Sequence, residues 1–164
     1  MAEFQTFVVP YDFSEHARAA LQMACDLAKR FESSIHLLHV IQPPSLAYLA
    51  YGGAGTTVSE PVAMLELHQV AESALREVAA EAERVCADVE AHVVESPSIP
   101  DAIRELAEKV GADLIVMGTH GRTGLAHAFL GSVAERTLRR APCAVLTVRA
   151  DDASHDERAA FADH

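Results

Sequence analysis

The strongest constraint in this sequence is its regular alternation of short apolar runs with segments of helical periodicity. The apolar runs occupy residues 4–9, 35–41, 89–94, 113–117 and 143–148. Continuous apolar runs of this length are typical of strands that are buried on both faces. Helical patterns lie between them, which favours parallel strands joined by crossover helices. The pattern therefore predicts an α/β fold, a three-layer sandwich around a five-stranded, mostly parallel, Rossmann-like sheet.

Helical spacing places four helices between these strands. Ser14 precedes the first helix, Ser98 precedes the third, and Gly111 marks the end of the third. The fourth helix spans residues 132–140, with three arginines assigned to its last turn. Those arginines are Arg136, Arg139 and Arg140. The second helix is predicted over residues 64–87. It is expected to bury a stripe of Leu67, Val70, Ala74, Val78, Ala82 and Val85.

The length of 164 residues suits one domain of ordinary size. We expect that domain to cover residues 1–150. Within it, residues 43–62 contain Pro-Pro and Gly-Gly pairs and are predicted to form a long flexible loop. Residues 151–164 are polar, acidic and without periodicity, which indicates a disordered tail.

The charge balance excludes several classes of function. The chain carries 24 acidic and 13 basic residues, a formal net charge of −11 at pH 7. An acidic chain repels phosphate backbones and anionic lipid headgroups, so we expect neither nucleic-acid binding nor membrane binding. The uncharged segment 33–59 is interrupted by prolines and glycines, which excludes a spanning helix. Residues 1–13 lack the features of a secretory signal, which favours a cytoplasmic protein.

Cysteine and histidine give no sign of a disulfide framework or a metal site. Cys25, Cys86 and Cys143 are odd in number and far apart in sequence, so we expect reduced thiols buried in the core. His36 and His39 lie three residues apart on one predicted strand and therefore point to opposite faces of the sheet. The remaining histidines are scattered along the chain, and no zinc site is expected.

The most informative motif follows the fourth predicted strand. Two residues separate Gly118 from Gly121, nine separate Gly121 from Gly131, and Ser132 comes next. Gly118 ends a predicted strand, and Gly131 opens a predicted helix. This context places main-chain N–H groups and a positive helix end where a polyphosphate binds. The alternative is ordinary turn chemistry, in which the glycines shape tight bends and Ser132 caps the helix.

The motif differs from two well-known phosphate-binding loops. A Walker A loop requires a lysine before its hydroxyl residue, and this segment contains no lysine. The dinucleotide fingerprint has a different glycine spacing and follows the first strand of its fold. The candidate ligand is therefore a phosphate held mainly by main-chain amides, with Arg122 of the same segment as a further partner.

Together with the apolar run 114–117 before it, this motif resembles the nucleotide-binding motif of the universal stress protein family. Residues 8–14, 38–40 and 143–148 resemble the first, second and closing strands of that family. The resemblance covers about residues 3–149. It implies the ATP-binding branch of the family, because members of that branch carry the three glycines.

The resemblance also implies which residues surround the nucleotide. At the first strand end, the nucleotide is expected to be lined by Pro10, Tyr11 and Asp12. Val40 is expected to contact the adenine, and Met117 to pack on the base or the ribose. Ribose and phosphates are expected to contact Gly118, Thr119, His120, Gly121, Arg122, Gly131, Ser132 and Val133. The chain departs from the family at Tyr11, a bulky residue where a small hydroxyl residue is common, and this ring is expected to crowd the ribose or to stack on it.

Asp12 has two interpretations. A carboxylate beside a polyphosphate is repelled unless it binds a sugar hydroxyl or a divalent cation lies between the two groups. Mg²⁺ prefers one or two carboxylates together with phosphate oxygens, so Asp12 is a candidate for indirect contact with Mg²⁺. The alternative is an Asx turn that leads into the first helix.

Three functions are consistent with these residues. The first is an ATP-binding stress-response or signalling protein whose nucleotide occupancy alters its interaction with a protein partner. The second is a slow ATPase in which Asp12 and a metal ion assist attack by water, although no arrangement of nucleophile, base and acid indicates a dedicated enzyme. The third is a nucleotide-free dimeric interaction module in which the glycines only shape a loop.

The last predicted strand indicates self-association. Residues 143–149 form an apolar edge, and exposed sheet edges are usually paired or covered. The family resemblance implies a homodimer in which the closing strands of two chains meet.

Overall fold

Strands and helices alternate in the predicted order. The computed structural model describes residues 4–43, 60–86, 88–119 and 130–150. The strands are β1 (Thr6–Pro10), β2 (Ser34–Ile41), β3 (Val89–Glu95), β4 (Leu114–Gly118) and β5 (Ala144–Val148). The helices are α1 (Glu15–Phe31), α2 (Glu60–Glu83), α3 (Ile99–Val110) and α4 (Ser132–Arg140). The predicted loop ends earlier than expected because α2 begins at Glu60, while residues 44–59 and the predicted tail lie outside the described residues.

Within the described residues, the strands form one five-stranded sheet in the order β3-β2-β1-β4-β5. Every pairing in it is parallel, so the predicted α/β class is confirmed and the sheet is parallel throughout rather than mostly parallel. Helices α1 and α2 cover one face, and α3 and α4 cover the other. The chain leaves β1 and β4 in opposite directions along the sheet. Because crossovers between parallel strands are right-handed, the helices on the two sides of this point lie on opposite faces, which gives three layers.

Both faces of the sheet are packed with aliphatic side chains. Phe7 and Leu37 are fully buried against α1 and α2, whereas Val8 and Ile115 are fully buried against α3 and α4. Adjacent residues of one strand, such as Phe7 and Val8, point to opposite faces because side chains alternate along a strand. The continuous apolar runs seen in the sequence therefore supply both cores at once.

The helix ends confirm most of the signals found in the sequence. The Ser14 side chain accepts the Ala17 N–H at 3.1 Å and caps α1. Gly111 follows α3 in the left-handed conformation, with a φ of 65° that glycine adopts without strain. Glu32 follows α1 with a φ of 57°, so this helix ends in the left-handed conformation without a glycine to signal it.

Helix α2 buries only part of the predicted stripe. Ala82 is buried and Val78 packs against the core as predicted, whereas Leu67, Val70 and Val85 are about half exposed or more. The other buried side chains of this helix are Ala71, Leu75 and Ala79, each of which follows a position of the predicted stripe by one residue. A mostly alanine face lets the helix axis approach the sheet, and Leu75 fills the space between them. Within the described part of the chain, no helix is long and apolar enough to cross a membrane.

Two cysteines that are far apart in sequence meet in the core. The Sγ atoms of Cys25 and Cys86 lie 2.8 Å apart, and both residues are buried without forming a disulfide. Burial raises the pKa of the Cys25 thiol far above its usual value, and the hydrogen bond with Cys86 raises it further. The expected burial in the core is confirmed for this pair, whereas Cys143 is only partly buried.

Candidate functional site

The carboxyl ends of β1 and β4 form the switch point of the sheet. β1 pairs with β2 on one side and with β4 on the other, so the connections that follow β1 and β4 depart in opposite directions. Ligands of open α/β sheets bind in the crevice between such connections. Pro10 ends β1 and Gly118 ends β4, so two of the predicted binding residues lie at this position.

Hydrogen bonds fix the turn that follows β1. The Tyr11 N–H donates to the Leu38 carbonyl at 2.7 Å, and Nδ1 of His39 lies 2.7 Å from the Tyr11 carbonyl. Oδ1 of Asp12 accepts the Ser14 N–H at 3.0 Å. This contact is the Asx turn that the sequence allowed as one interpretation of Asp12. It orients the carboxylate at the end of the strand.

The Tyr11 side chain lies in the core rather than at the sheet edge. It is only 4% exposed and belongs to the apolar cluster formed with α1 and α2. Its ring packs edge-on against Phe13, with 5.2 Å between the ring centroids. This differs from the expected place beside a ribose, because burial of a large aromatic ring in an apolar cluster is strongly favourable.

Gly118 is required by packing as well as by the motif. A Cβ atom added at this position would lie 2.7 Å from the His16 Cβ and 2.9 Å from the His16 carbonyl carbon. Any larger residue would therefore push the first turn of α1 away from β4. The glycine lets these two segments approach, which brings the turn after β1 next to the glycine motif.

Main-chain hydrogen bonds join the end of β4 to the start of α4. Thr119 is buried and donates its N–H to the Val148 carbonyl at 2.9 Å. Its own carbonyl accepts the Gly131 N–H at 2.8 Å. Because the Gly131 N–H is engaged in this way, the amides expected to hold phosphates at this helix end are those of Ser132 and Val133.

The N-terminus of α4 carries no side-chain cap. Gly131 is the N-cap residue and has no side chain to accept a hydrogen bond from the first turn. The first amides of an α-helix lack acceptors within the helix, and the helix dipole makes this end positive. Ser132 and Val133 are the first two residues of α4, so their N–H groups are directed out of the helix end. The interpretation that Ser132 caps the helix is therefore wrong.

An apolar surface lies beside these amides. Val40, Leu130 and Val133 are partly buried and pack against the cluster formed with α3 and α4. Met117 is a member of that cluster and is 4% exposed. Val40 at the end of β2 and Val133 at the start of α4 thus share one face of the sheet, as expected for residues that contact a base. Met117 is almost completely enclosed by its neighbours.

A cavity of about 230 Å³ opens at the start of α4. It is smaller than the roughly 300–1,000 Å³ of pockets for drug-sized ligands, so the cavity alone would hold only part of a nucleotide. Gln42 spans one side of it by donating to the Pro97 carbonyl at 3.1 Å. The lining consists of Gln42, Pro97, Ser98, Ile99, Pro100, Ser132, Val133 and Arg136.

Arg136 is the cavity residue that sequence reasoning assigned elsewhere. The basic residues of the last turn of α4 are Arg139 and Arg140, whereas Arg136 lies one turn after Ser132 and lines the same cavity. Arg139 pairs with Glu135 and Arg140 with Asp101, but Arg136 forms no ion pair within the described residues. Its spacing of four residues from Ser132 is the signal that places both on one side of the helix.

A second open groove lies at the opposite end of the sheet. It has a volume of about 700 Å³ and is lined by residues that include Lys29, Glu32 and Asp88. These residues lie near the amino ends of β2 and β3, whereas ligands of this fold class bind at the carboxyl ends. The larger groove is therefore not the nucleotide-site candidate.

The structure brings most of the predicted site to one edge of the sheet. Pro10 and Asp12 follow β1, Val40 lies near the end of β2, and Thr119 meets Gly131 through their main chains. His120, Gly121 and Arg122 lie outside the described residues, so their contacts stay predictions. The shared edge and the exposed helix end are what the predicted phosphate site requires.

Comparison with models of protein families identifies the family of this chain. The model described as the universal stress protein family matches residues 3–149. The chain belongs to the universal stress protein family. Among its relatives, universal stress protein MJ0531 of Methanocaldococcus jannaschii is 34% identical over 146 residues, which cover 89% of this chain and 82% of that protein.

Solved structures of other proteins share this architecture. The hypothetical protein MJ0577 superimposes with a TM-score of 0.75 at 29% identity, covering 90% of this chain and 96% of that one. A universal stress protein in complex with cAMP superimposes with a TM-score of 0.63 at 27% identity, covering 90% of this chain and 98% of that one. The family fold is therefore confirmed, and one solved relative holds an adenine nucleotide.

The contact of Gly118 with His16 generates a prediction for stability. Gly118→Ala is expected to lower the free energy of unfolding by about 1–3 kcal/mol, since overpacking against fixed backbone costs that much. Urea unfolding measures the change. The double variant with His16→Gly removes one of the colliding atoms, so part of the loss should be recovered as a coupling energy. Unchanged stability in Gly118→Ala would contradict the close approach.

Proposed function

We propose that this universal stress protein binds an adenine nucleotide, ATP in the first instance, at the carboxyl edge of its sheet. The observation that carries the proposal is the N-terminus of α4, which has no side-chain cap and belongs to the helix that follows β4, one of the two strands at the switch point. Beside them, Val40 and Val133 offer an apolar surface to the base. The solved cAMP complex of a 27% identical relative supports the ligand class.

The phosphates are proposed to bind to local donors rather than to the overall field of the protein. The chain has a net charge of −11, so its long-range field repels an anion. The main-chain amides of Ser132 and Val133, the positive helix end and the Ser132 hydroxyl act at short range. Arg136 adds a full positive charge on the wall of the same cavity. In the proposed complex, Gly121 and Arg122 contact the phosphates as the family resemblance implies.

Mg²⁺ is proposed to accompany the triphosphate. Asp12 is the carboxylate placed at the end of β1, and its Asx hydrogen bond fixes its orientation there. One carboxylate together with phosphate oxygens suits Mg²⁺, which keeps several of its waters. The ion would lower the charge of the bound nucleotide and reduce its repulsion by Asp12.

Occupancy of this site is proposed to alter the surface that a protein partner meets, in the manner of a stress-response signalling protein. The site lies where the connections that follow β1 and β4 begin, so a ligand there contacts several segments at once. Nothing in the described geometry favours the slow ATPase over this binding function. The described hydrogen bond of Asp12 Oδ1, from the Ser14 N–H, stabilises the turn after β1. Localisation in the cytoplasm stays a prediction.

The role of the Ser132 amide can be tested without breaking the helix. Proline is favoured at the first position of a helix, and the preceding Gly131 has a ψ of 149°, which a following proline accepts. Ser132→Pro therefore removes one N–H donor and the hydroxyl, whereas Ser132→Ala removes only the hydroxyl. Isothermal titration of ATP into nucleotide-stripped protein compares the two variants.

Ser132→Ala is expected to weaken ATP binding by up to about tenfold, as one neutral hydrogen bond is lost. Ser132→Pro should weaken it by roughly tenfold or more beyond that, because a donor to a charged phosphate is lost. Matching circular dichroism spectra would show that α4 is intact. Equal affinities of Ser132→Pro and the unaltered chain would contradict the proposal, and the absence of saturable heat with both ATP and cAMP would favour the nucleotide-free module.

We also propose that the protein forms a homodimer through β5. Among the described strands, β5 pairs with β4 alone and so forms one edge of the sheet. Its Val145 and Leu146 side chains are only partly buried by the cores on either face. An open edge of this kind is a template for pairing with a second chain.

Sedimentation equilibrium tests the proposed dimer. The Val148 carbonyl points to β4, where it accepts the Thr119 N–H, so the preceding Thr147 directs its main chain to the open edge. We expect the unaltered chain to sediment with twice the mass of one chain and Thr147→Pro, which removes an edge N–H, to sediment as a monomer. A monomeric unaltered chain at micromolar concentration would overturn the proposal.

A further inference from the structure

A cluster of metal-binding side chains lies on β2 and β3, away from the nucleotide site. His36, Glu90 and His92 place one potential ligand atom each within 4.8 Å of one another. We propose that these three residues bind a divalent transition-metal ion, Zn²⁺ in particular. No zinc site is expected from the sequence, because the spacing of histidines along one strand does not show which of them meet across neighbouring strands.

The strand register brings the three side chains to one face. His36 is the direct partner of Glu90, and Leu38 is the direct partner of His92. His36 and His92 are therefore diagonal neighbours, and such pairs on a shared face lie within reach of long side chains. Leu38 belongs to the cluster formed with α3 and α4, so the alternation of side chains places His36 on that same face.

The distances between donor atoms suit a tetrahedral ion. Nδ1 of His36 lies 3.0 Å from Nε2 of His92. Oε2 of Glu90 lies 3.5 Å from Nδ1 of His36, and Oε1 of Glu90 lies 3.6 Å from Nε2 of His92. Ligands about 2.0–2.2 Å from a tetrahedral zinc ion are roughly 3.3–3.5 Å apart, so the donors need little movement to bind one.

The donor set and its exposure are those of an open zinc site. Two imidazole nitrogens and one glutamate oxygen are a common set for zinc when water takes the fourth position. The two histidine side chains are 16% and 17% exposed, whereas Glu90 is 65% exposed. The site therefore has packed imidazoles and an entry path from solvent on the Glu90 side.

Burial favours the neutral form of the His92 imidazole, which is the form that binds a metal. Burial lowers the pKa of His92, the neighbouring His36 and Lys109 lower it further, and Glu90 opposes them. Without a metal, the 3.0 Å contact requires one ring to donate a hydrogen bond and the other to accept it. A bound cation would replace that proton and satisfy both nitrogens, while the charge of Lys109 would limit the affinity.

The proposal is independent of nucleotide binding. His36 lies near the amino end of β2, whereas the nucleotide site is at the carboxyl edge of the sheet. Loss of zinc binding therefore leaves the proposed function untouched, and failure of ATP binding does not affect the zinc site.

Titration of ZnCl₂ into the chelator-treated full chain, followed by calorimetry, tests the site. We expect a saturable component of one Zn²⁺ per chain that His36→Ala and His92→Ala each weaken at least about tenfold, since even the loss of an outer contact to a ligand costs that much. Binding should also weaken as the pH is lowered, because the ligands of a metal ion must be deprotonated. Co²⁺ bound in place of zinc should show the visible absorption of a tetrahedral site.

His68 supplies a matched control on the same protein. It also lies near two glutamates, Glu72 and Glu95, but they approach opposite ring nitrogens, so a single ion cannot bridge all three. His68→Ala should leave the high-affinity component intact. His36→Gln and His92→Gln serve as milder variants if either alanine variant unfolds. Unchanged Zn²⁺ affinity in the folded His36 and His92 variants, or loss of that component in His68→Ala, would overturn the proposal.

Discussion

The adjacency of β1 and β4 in the sheet is the constraint on which the candidate site depends. It turns two strand ends that are far apart in sequence into the two sides of one crevice. Gly118 makes the adjacency compatible with α1, because only a residue without a side chain fits against the His16 backbone. The fold and the binding motif therefore share the same glycine, and a change there would affect both.

At the N-terminus of α4, an acidic protein is proposed to present a site for an anion. A glycine at the N-cap leaves the first amides of the helix without a side-chain acceptor, and the Thr119–Gly131 hydrogen bond holds that end against the sheet. Short-range donors then act against a long-range repulsion from a net charge of −11. This balance favours a nucleotide whose charge is reduced by a divalent cation over a free polyanion.

Periodicity along the chain was sufficient to predict the fold, the strand count and most helix ends. It could not choose between two apolar stripes of α2, since both have helical spacing and only packing against the sheet decides between Val70 and Leu75. The site edge followed from strand ends, but the Gly131 N-cap depends on main-chain geometry. The pairs Cys25–Cys86 and His36–His92 depend on tertiary packing and strand register, which no spacing along the chain records.

Amide NMR tests directly whether main-chain amides at the start of α4 hold the phosphates. With ¹⁵N-labelled chain, saturating ATP is predicted to shift the Ser132 N–H resonance strongly, whereas adenosine, which lacks phosphates, should leave it nearly unchanged. Both ligands should shift Val40 and Val133, because both carry the base that these two side chains are proposed to contact. Binding of ATP without a change at Ser132, or an equal shift of Ser132 with adenosine, would show that other groups hold the phosphates.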